Sequence, residues 1–159
     1  MPVDDPAVLA GLLPGRWSVK ATNFPLWLGD RRDATFEYEL VREQPLSLSD
    51  TISYVDPEGK PKTGRGTSRW VGDGFARRAR GSRGLLGTSR WEVAGARPGV
   101  VVLRFEQSVA HPGALDVVVP EGADAHELRS AVAADPRAFG LSIEEFASLT
   151  WLDHLPPGA

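Results

Sequence analysis

The chain has 159 residues, 42% apolar and 25% charged, with a net charge of −3 and a pI near 5.6. That is enough for one hydrophobic core, and the acidic balance argues against a general nucleic-acid binder. With no cysteine, disulfides, thiolate metal ligands and a cysteine nucleophile are excluded. No apolar run approaches the roughly 20 residues that span a bilayer, and the opening Met1-Pro2-Val3-Asp4-Asp5-Pro6 is acidic and proline-broken, unlike a secretory signal. A cytoplasmic location is expected.

Residues 1–13 read as an N-terminal extension. A helical turn over Asp5 to Leu13 puts Val8, Leu9, Leu12 and Leu13 on one face and stops at Pro14-Gly15. From residue 14 to residue 159 the pattern predicts one unit. Gly15-Arg16-Trp17 opens a first strand that runs through Thr22; an indole there can plug one end of a small barrel, and the glycine lets the chain turn beneath it. If Trp17 points inward, alternation sends Val19 and Ala21 inward too.

The connection from Asn23 to Asp33 is long and carries Phe24, Leu26, Trp27 and Leu28. Apolar residues on a segment expected at the surface suggest a lid or a homodimer contact. Residues 34–40 then alternate, with Phe36, Tyr38 and Leu40 on one side. In residues 46–55 Leu46, Leu48, Ile52 and Tyr54 share a face. Asp56-Pro57-Glu58-Gly59 is a turn. Further strands are expected over 61–71, 74–80, 87–94, 100–107 and 114–119, punctuated by Asp73-Gly74, residues 96–99 and His111-Pro112-Gly113.

About eight short strands with no crossover helix should pair antiparallel. Short successive turns favour an up-and-down barrel over a Greek-key sandwich. After the strands, Asp124 to Ala134 has helical spacing, and Ser142 with Glu145 forms a capping box that opens a second short helix. The expected fold is all-β: an eight-stranded antiparallel up-and-down barrel with a C-terminal helix packed outside.

Over residues 14–152 the chain resembles the lipocalins of the calycin superfamily, particularly the small bacterial and plant-type branch. Gly15 and Trp17 match the family's Gly-x-Trp opening, and Asn23 to Leu28 falls where the family folds a loop over the barrel mouth. Arg80 to Gly87 is similar to the glycine-bearing link before the sixth strand. The tail from His126 through Gly140 to Trp151-Leu152 is similar to the family's C-terminal segment. The family stacks an arginine from just beyond the last strand on the opening tryptophan; here that strand runs into Pro120-Glu121, so either another arginine, with Arg104 the candidate, takes that place, or the chain is a distant calycin-like relative. The resemblance implies a barrel that holds a small hydrophobic molecule, including lipid.

Interior alternation makes Phe36, Tyr38, Tyr54, Trp70, Trp91, Leu103 and Phe105 candidate lining residues, with Trp27 above them. They suit a small apolar or amphipathic ligand. They also suit a barrel that is simply filled, since eight-stranded interiors are only just wide enough to stay open. Between Arg65 and Arg90 stand seven arginines and one acid, Asp73. Arg77 alternates opposite Arg78 and Arg80, so one guanidinium should face inward and need a partner. The partner is either an anionic ligand or Asp50, which shares the apolar face of its own strand.

Chemistry beyond binding has few signals. His111, His126 and His154 lack metal-ligand spacing, and no metal or cofactor is called for. By analogy with the nitrobindins, another small-barrel family, His154 could serve as an axial haem ligand. There is no phosphate-binding glycine loop and no nucleophile elbow. An isomerase or decarboxylase remains open, with Tyr38 or Tyr54 and an arginine acting on a carboxylate. The expected role is nonetheless non-catalytic binding of a small hydrophobic or amphipathic ligand, anionic if Arg77 is to be its partner, with an interaction protein of filled interior as the other reading.

Overall fold

Alternate side chains of each strand are buried, and that alternation defines the inner face of one continuous sheet. The computed structural model describes residues 3–81, 88–107 and 113–152. Its order is α1 (Pro6–Leu12), β1 (Gly15–Thr22), α2 (Pro25–Leu28), β2 (Arg32–Glu43), β3 (Leu46–Val55), β4 (Pro61–Trp70), β5 (Phe75–Ala79), β6 (Thr88–Arg97), β7 (Val100–Phe105) and β8 (Ala114–Pro120). There follow α3 (Leu128–Ala134), a 3-10 turn (Pro136–Phe139), α4 (Ile143–Ser148) and β9 (Thr150–Trp151). Every neighbouring strand pair is antiparallel, from β2 through β8 to β1, and β1 pairs back with β2. The eight strands therefore close into an up-and-down barrel, as the turn pattern required.

Trp17 and Val19 face the lumen, but Ala21 does not. The register slips between Val19, opposite Val118, and Ala21, opposite Val117. An extra residue in one strand reverses its in-out parity beyond that point. Ala21 therefore packs in the outer apolar layer, and the next residue, Thr22, meets Asp116 of β8.

The base of the barrel is sealed by the turn that precedes it. Asp5 caps α1 by accepting from the Ala7 N–H at 2.9 Å. Leu9 and Leu13 are fully buried in the lumen cluster, whereas Val8, expected on the same face, is 53% exposed. The Trp17 indole donates to the Leu13 carbonyl at 2.8 Å, which fixes plug and ring together.

β8 is apolar on both faces, Asp116 apart, because it is covered on both sides. Ala114 and Val118 face the lumen, while Leu115, Val117 and Val119 meet Leu128, Val132, Phe139, Leu141, Leu149 and Trp151. The C-terminal helices thus lie outside the barrel, and β9 adds to β1 through Ala21 and Trp151. The first of them begins at Leu128 rather than Asp124: the Asp124 carboxylate accepts from the His126 backbone N–H at 3.1 Å, a local bond that competes with helix. The capping box at Ser142 and Glu145 forms in full. None of the described helices is long and apolar enough to cross a membrane.

Candidate functional site

Within the lumen the side chains divide into a base, a middle and a mouth. Trp70, next to the β4–β5 turn, lies at the base end and meets Phe75 edge-on at 5.3 Å. In the middle, Phe75 stacks on Trp91 at 4.4 Å, and Trp91 stacks on Tyr38 at 5.4 Å. Tyr38 belongs to β2 and Trp91 to β6, so this stack spans the barrel. Phe105 sits 6.0 Å from both Phe36 and Trp91.

A polar niche is built into that aromatic layer. The Arg77 guanidinium is inside, as alternation predicted, and is 2% exposed. Its Nε donates to Asp50 Oδ1 at 2.8 Å, and its Nη2 lies at 2.8 Å from the same oxygen. The Ser68 hydroxyl donates to Asp50 Oδ2 at 3.0 Å and accepts from the Trp91 indole at 3.0 Å. Gly66, opposite Asp50 in the ladder, makes the room: a Cβ there would stand 2.8 Å from Arg77 Nη2. The charge that awaited a partner in the sequence is therefore met by Asp50. Burial, with Asp50 close by, holds the Tyr38 phenol well above its ordinary pKa.

The mouth is covered from the β1–β2 connection. The Thr22 hydroxyl accepts from the Phe24 N–H at 2.9 Å, and Asn23 clasps the Leu115 backbone, accepting at Oδ1 from its N–H at 2.7 Å. These bonds aim α2 at the barrel. Trp27 is 3% exposed and lies 5.4 Å from Tyr54, 5.9 Å from Phe24 and 6.4 Å from Phe36. Phe24 and Trp27 are both turned into the core, so this segment lies as a lid, and Leu28 is its exposed apolar side chain.

Beneath the lid stands a residue the sequence reading passed over. Asp116 is 1% exposed, on the lumen face of β8 between Ala114 and Val118. Burial pushes its carboxyl up to about 7; the Thr22 hydroxyl and the Trp27 indole pull more weakly the other way. Asp116 Oδ1 and Trp27 Nε1 are each buried without a hydrogen-bond partner, as is the hydroxyl of Ser89, which neighbours Arg77 across the β5–β6 ladder. An acid inside Ala-Leu-Asp-Val-Val-Val was the signal available, since a charge in an otherwise apolar strand marks a special site.

The eight residues expected to line a ligand are thus spread over the lumen's height: Trp27, Tyr54 and Phe36 at the mouth, Tyr38, Arg77, Trp91 and Phe105 below, Trp70 at the base. Arg104, expected on Trp17, is on the outer wall instead. Its side chain alternates against Leu103 and Phe105, and it binds Glu92 at 2.8 Å, Glu145 at 2.9 Å and the Gly140 carbonyl at 3.2 Å. It therefore ties the C-terminal segment to the barrel. His126 is exposed and pairs with Asp124 at 2.8 Å. His111, His154 and the link over residues 82–87 lie outside the described residues. Among those described, no group of three or more His, Asp or Glu could hold a metal ion.

No protein-family model and no curated protein matches the sequence. Solved structures match along almost the whole chain. Lobster apocrustacyanin A1 superposes with a TM-score of 0.62 at 11% identity, over 94% of this chain and 86% of that one. The siderocalin Ex-FABP gives 0.60 at 12%, over 88% and 93%, and the bovine lipocalin allergen Bos d 2 gives 0.59 at 16%, over 96% and 99%. The chain has a lipocalin-type fold, the closed barrel that Gly15 and Trp17 pointed to.

Proposed function

We propose that the protein reversibly binds a small hydrophobic or amphipathic molecule in the barrel, admitted when α2 lifts Trp27 from the mouth. The observation that carries this reading is Trp27 itself. A large aromatic is held in the lumen by a helix of only 4 residues, which has no side-chain cap, and its indole N–H is left unpartnered. A contact of that kind is costly to keep and cheap to exchange. Ex-FABP, which shares the fold, is described as working through dual ligand specificities.

Trp27, Phe36, Tyr38, Tyr54, Trp91 and Phe105 would be the contact surface, with Trp70 reached only by a long ligand. Arg77 would meet an anionic headgroup only if Asp50 released it, so an uncharged or differently charged polar end suits the lumen better. Binding without catalysis is favoured, and the cysteine-free composition suits a cytoplasmic setting.

The test is titration with Nile red and a panel of fatty acids and aliphatic alcohols, followed by tryptophan fluorescence. Saturable quenching at micromolar concentrations is expected, and its loss of amplitude in Trp27→Ala would place the lid at the site. Silence across the whole panel would favour the other reading, an interaction protein whose interior is filled by the Tyr38–Trp91–Phe75 stack.

A further inference from the structure

The lumen's charges do not balance. Asp50 and Arg77 cancel at 2.8 Å, and the Tyr38 phenol is kept protonated by its burial. Asp116 is left as the one lumen carboxyl with no basic side chain bonded to it among the described residues, and one of its oxygens has no donor. Buried polar groups without partners are exceptions in folded proteins, because each forfeits its hydration for nothing. Here the orphan acceptor lies beneath the lid, and the lid's own Trp27 indole N–H, which pulls on the Asp116 carboxyl without closing a bond to it, is the other orphan at the end of the lumen where a guest must enter.

We propose that the guest carries a protonated nitrogen, an aliphatic or arylalkyl amine whose ammonium group is received by the Asp116 carboxylate at the barrel mouth. The inference rests on the binding reading above and names the ligand class. An ammonium supplies both the missing charge and the missing donor, and such charge-assisted hydrogen bonds are the stronger kind. Trp27, Phe36 and Tyr54 around the mouth offer ring faces that attract a cation, and their contacts suit the apolar body of the same molecule. A carboxylate guest would lie against Asp116 or have to displace Asp50 from Arg77; Arg31, whose Nε is also buried without a partner beside Tyr54, is the competing place that the carboxylate arm of the experiment tests.

Among the described residues, the other ionisable groups facing this end of the lumen are Tyr38 and, in the lid region, Tyr54 with Arg31, whose guanidinium carbon lies 5.9 Å from the Tyr54 ring. Asp116 is the one that titrates near neutrality. An amine is protonated throughout that range, so its binding follows ionisation of Asp116. With a carboxyl of about 7, affinity should rise about 30-fold between pH 5.5 and pH 8.

The experiment compares 2-phenylethylamine, 2-phenylethanol and 3-phenylpropionate by calorimetry at both pH values, with Nile red as a class-neutral probe. The amine should bind at least tenfold tighter than the alcohol at pH 8, and the advantage should shrink at pH 5.5. Asp116→Asn, checked for folding by circular dichroism, should bring amine and alcohol within about twofold of each other. Equal binding of all three, or a preference for the carboxylate, overturns the amine assignment and leaves the binding reading intact. If neither these molecules nor Nile red binds, the binding reading itself falls.

Discussion

Asp116 and Trp17 are buried to nearly the same degree, yet their contributions to stability have opposite signs. Trp17 satisfies its indole N–H at Leu13 and buries its ring. Asp116 must shed its charge to be comfortable, and burial raises its carboxyl from 3.8 to about 7. Between those values the folded state holds the proton more tightly than the unfolded chain. The stability this gives is full below about pH 4 and lost as pH rises to about 7. Asp116→Asn should therefore gain about 2–4 kcal/mol relative to wild type at pH 8 over its value at pH 4. Urea unfolding at the two pH values measures it; a pH-independent difference would mean the carboxyl titrates normally. The Asp50–Arg77 pair differs because each partner is answered: losing either alone strands a buried charge, which costs about 3–5 kcal/mol.

The decisive element is the C-terminal segment, and two glycines govern its seat. Gly95 of β6 and Gly140 after the 3-10 turn approach backbone to backbone, and a Cβ on either would run into the other's segment. Gly140 also holds φ at 77°, in the left-handed region. Gly140→Ala combines strain with a clash against the Ala94 carbonyl and should cost about 2–4 kcal/mol. Faster limited proteolysis of the tail, with the barrel's tryptophan emission little changed, would show that the segment undocks by itself. An unfolding curve equal to wild type would show that the approach relaxes freely. Arg104, joined to Glu92, Glu145 and the Gly140 carbonyl, holds the same seam.

Across the whole molecule two tryptophans close the two ends of one tube by different means. Trp17 is fixed at the base by a hydrogen bond and by the strand that carries it. Trp27 rides on a short uncapped helix with its N–H unmet. Trp17→Ala should cost about 3–5 kcal/mol, as large-to-small changes in cores do. Trp27→Ala should cost less than half of that and should raise the rate of Nile red uptake. Thermal melts and stopped-flow fluorescence check the pair, and equal costs with unchanged uptake would make Trp27 a second structural plug.

Alternation along residues 34–40 and 46–55, close turn spacing and the Gly15–Trp17 opening were enough to specify a closed antiparallel barrel, because strand periodicity and turn chemistry are local properties. The capping box at Ser142 was legible for the same reason. Which way parity runs after Val19 was not, since a bulge is a property of two paired strands. Nor was the answer to Arg77: Asp50, Gly66 and Ser68 come from other strands, and only closure brings them to the guanidinium. Asp116 sat in plain view inside an apolar strand, but its burial without a base became visible only once the lid and the β8 face were in place. Sequence set the strands and the plug, while the assembled lumen decided which charges cancel and which one is left over.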